Sequence, residues 1–221
     1  MKTTLNEKMR NAADSGLRGG MSLHDFEPKS FSWSGEVWAT LTEADGSVQK
    51  IHIGKNVITA DASIFIARTN VNNTSVTAGM WGLAVGTGAN GWNPMSPPAA
   101  TSAQRSLFSE LARGAFTSIS FTDTFGNPSS IPTNIVDYTT TFTASQAVGP
   151  LVEMGLIAAP INTSPSYIQG PNNPLTMPIP NSATTPPLNQ SLYDVLFNYR
   201  TFPVINKSNT ATLTLDWRIT Y

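Results

Sequence analysis

The chain has 221 residues and a formal net charge of −1, and charged residues make up only 12% of it. Because so small a net charge creates no long-range field, nucleic acid and anionic membrane surfaces are not expected as partners. The absence of cysteine excludes a disulfide framework, a thiolate nucleophile and a Cys-ligated zinc site, so stability has to come from packing and from assembly.

Residues 1–34 are predicted to form an N-terminal arm, and nine charged side chains lie among its first thirty residues. The stretch TLNEKMRNAADSG places Leu5 and Met9 at helical spacing, but a helix of this length is marginal in isolation. A glycine-rich connection follows at 16–20. The arm is interpreted either as a disordered terminus or as a segment that becomes ordered against another subunit.

The first two elements after the arm have clear signals. The stretch EVWATLTEADGSVQKIHIG predicts a β-hairpin, because Asp-Gly between alternating apolar and polar residues is a strong turn signal. The apolar side chains of this hairpin are those of Val37, Ala39, Leu41, Val48, Ile51 and Ile53. VITADASIFIARTN then places apolar residues at helical spacing behind a suitable N-cap, Thr59 or Asp61. It predicts one short amphipathic helix that closes an end of the core.

The stretch WGLAVGTGANG, which ends at Gly91, contains the G-x-G-x-x-G pattern of dinucleotide-binding folds. Those folds need a helix that begins at the third glycine, so that its N-terminal amides hold the pyrophosphate. Here Trp92, Pro94 and Pro97 follow, and the prolines prevent such a helix. The sequence therefore predicts a buried strand that ends in a left-handed turn, and no nucleotide site.

Strands dominate the predictions for the second half. SAQRSLFSELARG, residues 102–114, is predicted to form a helical turn or two. AFTSISFTD, VDYTTTFTAS and ATLTLDWRITY alternate β-branched or aromatic residues with polar ones and are predicted strands, and LVEMGLIAA and LYDVLFNYRTF are interpreted as strands too.

A long uncharged segment lies between the predicted strands LVEMGLIAA and LYDVLFNYRTF. Residues 154–193 contain no charge and eight of the sixteen prolines, which excludes a packed helix or a central strand through PINTSPSYIQGPNNPLTMPIPNSATTPP, residues 160–187. A solvated linker would contain fewer apolar residues. We therefore expect an extended, proline-rich excursion at about 157–192 that lies against the domain or against a neighbouring subunit.

The predicted fold class is all-β. Residues 35–221 are expected to form an antiparallel β-sandwich or jelly-roll-like domain with one or two short helices, preceded by the extended N-terminal arm. The N-terminus lacks the apolar core of a signal peptide, and no run approaches the roughly 18 apolar residues of a membrane span. A soluble domain made in a cytoplasm is therefore expected.

Few side chains suit catalysis or metal binding. The two histidines, His24 in the arm and His52 in a strand, are interpreted as ordinary polar positions, because zinc and iron sites need several converging ligands. No G-x-S-x-G nucleophile elbow is present. A glycan depolymerase would need two carboxylates about 5–10 Å apart in a groove, and no pair stands out for that role. The sequence predicts no catalytic, cofactor or metal site.

The conspicuous charges are instead assigned to structural ion pairs. Glu110 lies three residues before Arg113, a spacing at which neighbours on a helix form pairs. Glu153 lies in an otherwise apolar segment, so its burial requires a partner, for which Arg113 and Arg200 are the candidates.

Several short motifs follow one another in a fixed order along residues 35–221. They are an N-x-[VI] stretch that opens a helix, a strand that ends in G-T-G, an L-x-x-E-x-x-R segment, a threonine-rich strand, an E-x-G-L turn, a closing LFNYRTFPVINK segment and an L-x-L-x-W-x-I strand. The residues at these places include Leu107, Glu110, Arg113, Glu153, Gly155, Leu156, Arg200, Pro203, Lys207, Leu213, Leu215, Trp217 and Ile219. In this order the motifs resemble a set of tailed-bacteriophage virion proteins, from which the charged arm and the long proline-rich excursion depart.

The resemblance implies a β-sandwich module that decorates or cements a capsid, or that belongs to the tail. We expect a non-enzymatic virion structural protein without a cofactor, most simply an oligomeric capsid decoration or cement protein made in the host bacterial cytoplasm. Its expected partners are its own subunits and other virion proteins, such as major capsid or tail proteins, with the arm as an anchor. A tail, neck or baseplate component is the nearest alternative. A carbohydrate-binding module is another, with Trp92 as the exposed aromatic contact.

Overall fold

The computed structural model of the chain describes residues 33–71, 78–160, 166–170, 177–178 and 193–221, in which it shows thirteen strands and one helix. The predicted arm, except for Trp33 and Ser34, and most of the predicted excursion lie outside these residues. In chain order the strands are β1 (Ser34–Thr42), β2 (Val48–Lys55), β3 (Val57–Ile58), β4 (Ala78–Gly86), β5 (Glu110–Ala115), β6 (Ser118–Thr122), β7 (Pro128–Ser129), β8 (Ile135–Phe142), β9 (Gly149–Pro160), β10 (Tyr167–Gln169), β11 (Met177–Pro178), β12 (Tyr193–Lys207) and β13 (Thr212–Thr220), and the helix is α1 (Ala60–Val71).

The strands form two sheets, which confirms the all-β sandwich. The first sheet has the order β2-β1-β13-β8-β6-β7, and the second has the order β10-β5-β4-β9-β12-β11, with the short β3 also paired to β12. All the pairings are antiparallel except that of β11 with β12.

The main core lies between the two sheets. Successive side chains of a strand point to opposite faces, and every second residue of β1 and β13 is buried. These inward residues of the first sheet pack with inward residues of the second, among them Leu83, Met154 and Phe197. The largest fully buried side chain is that of Trp217.

The hairpin and most of the predicted strands are confirmed. Strands β1 and β2 flank the Ala44-Asp45-Gly46 turn, where Asp45 accepts a hydrogen bond from the Ser47 amide at 2.9 Å. Val48 departs from the prediction, because it is exposed at the outer edge of the sheet instead of contributing to the core. Val48 lies opposite Thr42 on the outward face of β1, whereas Ile51 lies opposite the buried Ala39. A register shift between Val37 and Trp38 interrupts the alternation at the other end of β2.

The predicted amphipathic helix is present as α1. Thr59 is its N-cap, with its hydroxyl oxygen accepting a hydrogen bond from the Ala62 amide at 3.2 Å. The same hydroxyl donates to the Leu196 carbonyl at 2.5 Å, which ties the start of the helix to β12. Ala62 and Phe65 are buried in the main core, so the helix closes one end of it.

The predicted helical turn at 102–114 is wrong. Residues 101–109 are irregular and residues 110–115 form β5, which pairs with β4 on one side and with β10 on the other. The backbone of Gly114 lies so close to Thr140 and Phe142 that an added Cβ would stand 3.1–3.2 Å from them. Contact between the two sheets therefore overrides the local helical pattern.

The described parts of the proline-rich excursion lie at sheet edges. Strand β10 is the outermost strand beside β5, and Ile168 in it is buried. Strand β11 is an edge strand beside β12. Prolines are tolerated at such positions because an edge strand leaves half of its backbone groups unpaired.

Candidate interaction surface

The predicted site residue Glu153 is held by backbone amides. Its side chain is fully buried in β9 and accepts hydrogen bonds from the amides of Gly88, Phe108 and Ser109 at 3.2, 3.0 and 2.9 Å. The Tyr199 hydroxyl donates to the same carboxylate at 2.7 Å. Neither Arg113 nor Arg200 forms an ion pair with it among the described residues, so the expected pairing of Glu153 is corrected to an amide cradle.

This cradle explains the glycine motif. Gly88 and Gly91 have φ angles of +73° and +89°, which confirms the left-handed turn behind β4. A Cβ at Gly86 would lie 2.6 Å from a Glu153 oxygen, and one at Gly88 would lie 2.5 Å from the Trp92 ring. The glycines thus let the backbone approach an internal carboxylate, which takes the place that a phosphate has in nucleotide-binding loops.

Glu153 also fixes a long connection. Residues 87–109 join β4 to β5, and the carboxylate binds one amide at the start of this connection and two at its end. Further hydrogen bonds join the connection to β12, from the Thr201 hydroxyl to the Pro98 carbonyl at 2.7 Å and from the Val204 amide to the Pro94 carbonyl at 2.8 Å. The connection therefore has a defined position although it contains no strand or helix.

A second buried polar group surrounds Arg113. Its guanidinium donates to Glu110 at 2.7 Å and to Asp194, and all three side chains are buried. Glu110 and Arg113 thus form a pair, although in a strand and not in a helix. Burial alone would lower the pKa of Arg113, but hydrogen bonds and charges from Glu110 and Asp194 raise it, so the guanidinium stays charged.

Asp194 and Tyr199 belong to these groups but had no place among the predicted site residues. Asp194 is the only carboxylate in the largely apolar strand β12, and a lone carboxylate among apolar residues is the same signal that Glu153 gives. Tyr199 offers no comparable signal in the sequence. Burial and the adjacent Glu153 charge raise the pKa of Tyr199, which keeps its hydroxyl protonated and able to donate.

Three other predicted positions are outside these groups. Arg200 donates to the Ile53 carbonyl at 3.0 Å. His52 is exposed, as expected, and stacks on Trp38 with ring centroids 5.4 Å apart. Trp92 is half-buried and packs edge-on against Phe108 at 4.8 Å, so it is less open than an exposed contact would be. His24 lies outside the described residues.

A cluster of metal ligands and a membrane-spanning helix are both absent from the described residues. These residues contain no group of three or more His, Cys, Asp or Glu side chains arranged to hold a metal ion. Within the same residues no helix combines the length and the apolar character needed to cross a membrane.

The exposed apolar residues concentrate at one edge of the first sheet. Of the eight large apolar side chains exposed in the described part of the chain, four lie within residues 119–131. We call these four the edge surface: Ile119 and Phe121 in β6, Phe125 in the following turn and Ile131 after β7. Phe125 and Ile131 are 88% and 68% exposed. Such a concentration is typical of a binding surface, whereas isolated exposed apolar residues need no explanation.

The geometry of the sheet explains the exposure of β6. Ile119 and Phe121 lie opposite Tyr138 and Val136 of β8, so they are on the same inward face as the main core. Tyr138 and Val136 are buried, whereas the two β6 residues are not. The inward face of the first sheet thus continues past the point at which the rest of the fold covers it.

The opposite edge of the same sheet has a different composition. Strand β2 carries exposed Lys50 and Lys55 and the register shift noted above, which are devices that discourage edge-to-edge association. Residues 115–136, which contain the edge surface, carry a single charge, Asp123. Its carboxylate accepts hydrogen bonds from the Phe125 and Asn127 amides at 2.9 and 2.8 Å and is thereby committed to its own turn.

No family model and no curated protein sequence matches this chain.

Proposed function

We propose that this chain is a non-enzymatic structural subunit of a tailed-phage virion, acting as a decoration or cement protein on the capsid. The observation that carries the proposal is the edge surface, where four large apolar side chains stand exposed along residues 119–131, whose single charge, Asp123, is bonded within its own turn. Burial of such side chains against a neighbouring protein releases water from apolar area and stabilises the assembly. The order of the sequence motifs supports the virion context.

The buried charges support a structural role as well. Glu153 is used to hold the 87–109 connection, and Glu110 and Asp194 share Arg113. Each of these carboxylates is bound to protein groups that fix backbone or strand positions. The result is a preformed scaffold, which loses little conformational entropy when it binds.

Electron microscopy of phage particles made without this protein tests the proposal. We expect intact heads that break more readily under heat or osmotic shock, because a cement protein stabilises the joints between capsid subunits. Tailless or non-adsorbing particles would assign the chain to the tail, neck or baseplate instead. Particles with unchanged composition and stability would contradict a structural role altogether.

A substitution on the edge surface tests directly whether its exposed apolar side chains bind a neighbouring protein. Phe125→Asp places a charge at an exposed turn position and leaves the core untouched. We expect particles made with this variant to contain much less of the protein, measured by quantitative mass spectrometry of purified virions. Val48→Asp, on the protected edge, is the matched control and is expected to be incorporated at the normal level.

The N-terminal arm is proposed as an anchor to the shell. Residues 1–32 lie outside the described part of the chain, whereas Trp33–Tyr221 form a compact unit with its own core. Deletion of residues 1–30 should therefore leave a folded domain and prevent its incorporation into particles. A deletion variant that does not fold would show that the arm is part of the core.

A carbohydrate-binding module is the second candidate, favoured by the contact of Trp92 with Phe108, whose side chain is about half exposed. Paired aromatic side chains in a loop can stack on sugar rings. Glycan-array binding that disappears in Trp92→Ala would favour this candidate. Binding to particles but to no glycan would favour the structural subunit.

A further inference from the structure

We infer that the partner of the edge surface is a second copy of this chain, so that the protein forms a two-fold dimer through the β6–β7 edge of its first sheet. This inference rests on the proposed function, because it names the occupant of the surface that carries it. Four properties of the edge support a second copy.

The first property is the absence of free charge. A two-fold interface brings each residue close to its own counterpart, so a surface with a net charge would repel itself. Residues 115–136 carry only Asp123, and its carboxylate accepts bonds from Phe125, Asn127 and the Asn127 side-chain amide. Arg218, whose guanidinium lies beside the backbone of Gly126, is paired with Asp137 at 2.7 Å, so among the described residues no unpaired charge at this edge opposes an identical surface.

The second property is the kind of contact that the edge allows. Strand β7 covers β6 only at Phe121 and Thr122, and its first residue is Pro128, which has no amide hydrogen. A proline at the edge hinders extension of the sheet by another strand. Contact through the apolar side chains of Ile119, Phe125 and Ile131 is therefore favoured over the addition of a strand.

The third property is size. Stable protein–protein interfaces use about 20–30 residues on each side and bury about 1,200–2,000 Å² in total. Residues 115–136 are 22 residues, of which Thr122 and Val136 are buried, so the remainder falls at the lower limit of that number, and four of its exposed side chains are large and apolar. An apolar centre with a rim of Ser, Thr and Asn is the usual composition of such an interface.

The fourth property is closure. The lysines of β2 protect the other edge of the first sheet, so one edge is available for association and the other is not. A two-fold pair consumes the available edge of both copies. Association through this edge of the first sheet therefore stops at two copies.

Sedimentation velocity of the full chain at several concentrations tests the inference. We expect the wild type to sediment with twice the 23.7 kDa mass of one chain. Ile119→Asp and Phe125→Asp should each raise the dissociation constant at least about thirtyfold, because a buried charge without a partner is strongly unfavourable. Both residues are exposed in the single chain, so far-UV circular dichroism should stay close to that of the wild type, and the melting temperature should fall only by the stabilisation that dimerisation gives at the concentration used.

Val48→Asp is the matched control. Val48 and Ile119 are 56% and 57% exposed and lie on opposite edges of the same sheet. The same substitution at Val48 should leave the dimer unchanged. If Val48→Asp dissociates the dimer and Ile119→Asp does not, the inference is overturned in favour of the β2 edge.

Site-specific cross-linking gives a second measurement, since the chain contains no cysteine. Ile119→Cys treated with a short bis-maleimide should yield a covalent dimer, and Val48→Cys should not. A monomeric wild type overturns the inference. In that case, an intramolecular cross-link between Ile119→Cys and Phe26→Cys would assign the surface to the N-terminal arm.

Incorporation into particles separates the inference from the proposed function. A monomeric wild type whose Phe125→Asp variant is still excluded from particles would overturn the dimer and leave the structural role intact, with another virion protein as the partner. A dimer that Phe125→Asp dissociates without any loss of incorporation would support the inference and contradict the function proposed for the edge surface.

Discussion

The two faces of the second sheet are both closed to water and both contain packed apolar side chains, but the outward face adds a group of buried charges. The face toward the first sheet packs apolar side chains such as Leu83 and Met154. The face away from it carries the charged side chains of Arg113, Glu153 and Asp194, which alternate with the inward residues of the same strands. Apolar contact is non-directional, whereas hydrogen bonds and ion pairs need particular angles and distances.

Because of this difference, the two faces should tolerate substitutions to different degrees. An apolar core accepts a substitution that keeps volume, because neighbouring side chains adjust. A buried polar group whose partner is removed keeps its desolvation penalty without the bond that offset it. The outward face should therefore respond more strongly to a change that is conservative in size.

Arg113→Met should have the largest effect. It keeps much of the volume but leaves Glu110 and Asp194 buried without a cation, and loss of one partner from a buried ion pair typically destabilises by about 3–5 kcal/mol. Urea unfolding at pH 7 measures the change. Part of the loss should be recovered at acidic pH, because burial already raises the pKa of Glu110 and removal of the guanidinium would raise it further.

Leu215→Met is the matched substitution on the inward face. Leu215 is fully buried in the main core, and a volume-conserving apolar swap usually costs less than about 1.5 kcal/mol. Equal losses in the two variants would contradict the distinction between the faces.

Glu153→Gln should have the next largest effect. Glutamine replaces one carboxylate oxygen with an NH₂ group, which is a donor. In one orientation this group would face the amides of Gly88 and Ser109. In the other it would face the donors of Phe108 and Tyr199. A buried donor left unsatisfied costs about 1–3 kcal/mol. Hydrogen exchange should show faster exchange at the three cradle amides, while amides of β13 keep their protection. Unchanged protection at the cradle would mean that Glu153 does not hold the connection.

The inward face could be predicted from the sequence because its signal is local. Alternation within β1 and β13 places Val37, Leu213 and Trp217 on one face without any knowledge of partner strands. Thr59 was recognisable as a cap for the same reason, since it lies directly before the helical pattern. The helix expected at 102–114 failed where contact between sheets outweighed a local pattern.

The outward face could not be predicted in the same way, because its partners are distant in sequence. Arg113 and Asp194 are separated by 81 positions, and Glu153 and Gly88 by 65. A lone carboxylate in an apolar strand indicates that some partner exists, but not which one. For Glu153 the partners are backbone amides, which any residue type can supply.

The edge surface was hidden for a related reason. Alternation predicted the strand that contains Ile119 and Phe121, and residues two apart in a strand share a face. Whether that face is covered at its margin depends on the relative extent of the two sheets. Sequence alternation carries no information on that extent, so exposure at the margin became visible only in the fold.

Tyr199→Phe should have a smaller effect than Glu153→Gln. It removes one donor from the Glu153 carboxylate, and the same oxygen keeps its bond from the Phe108 amide. Loss of a typical hydrogen bond costs about 0.5–1.5 kcal/mol. Urea unfolding should show this modest loss with unchanged hydrogen exchange at the Gly88 amide. A loss as large as that of Glu153→Gln would mean that the hydroxyl, and not the amide cradle, dominates the site.

Asp123→Asn should have the smallest effect, because the carboxylate of Asp123 is exposed to solvent, and water can replace part of the hydrogen bonding that is lost. Asp123 accepts backbone amides as Glu153 does, but at an exposed turn of the first sheet. Hydrogen bonds from Asn127 and from the Phe125 amide lower the pKa of Asp123 below its ordinary value of 3.8. A lowered pKa means that the fold favours the ionised form, so the contribution to stability is present above pH 3.8 and is lost as the pH falls through the lowered value.

Between pH 5 and the acid limit, the wild type should therefore lose stability relative to Asp123→Asn, as measured by urea unfolding at each pH. A difference that is constant with pH would mean that the turn depends on the shape of the side chain alone, and that only a buried carboxylate derives stability from its charge in this fold.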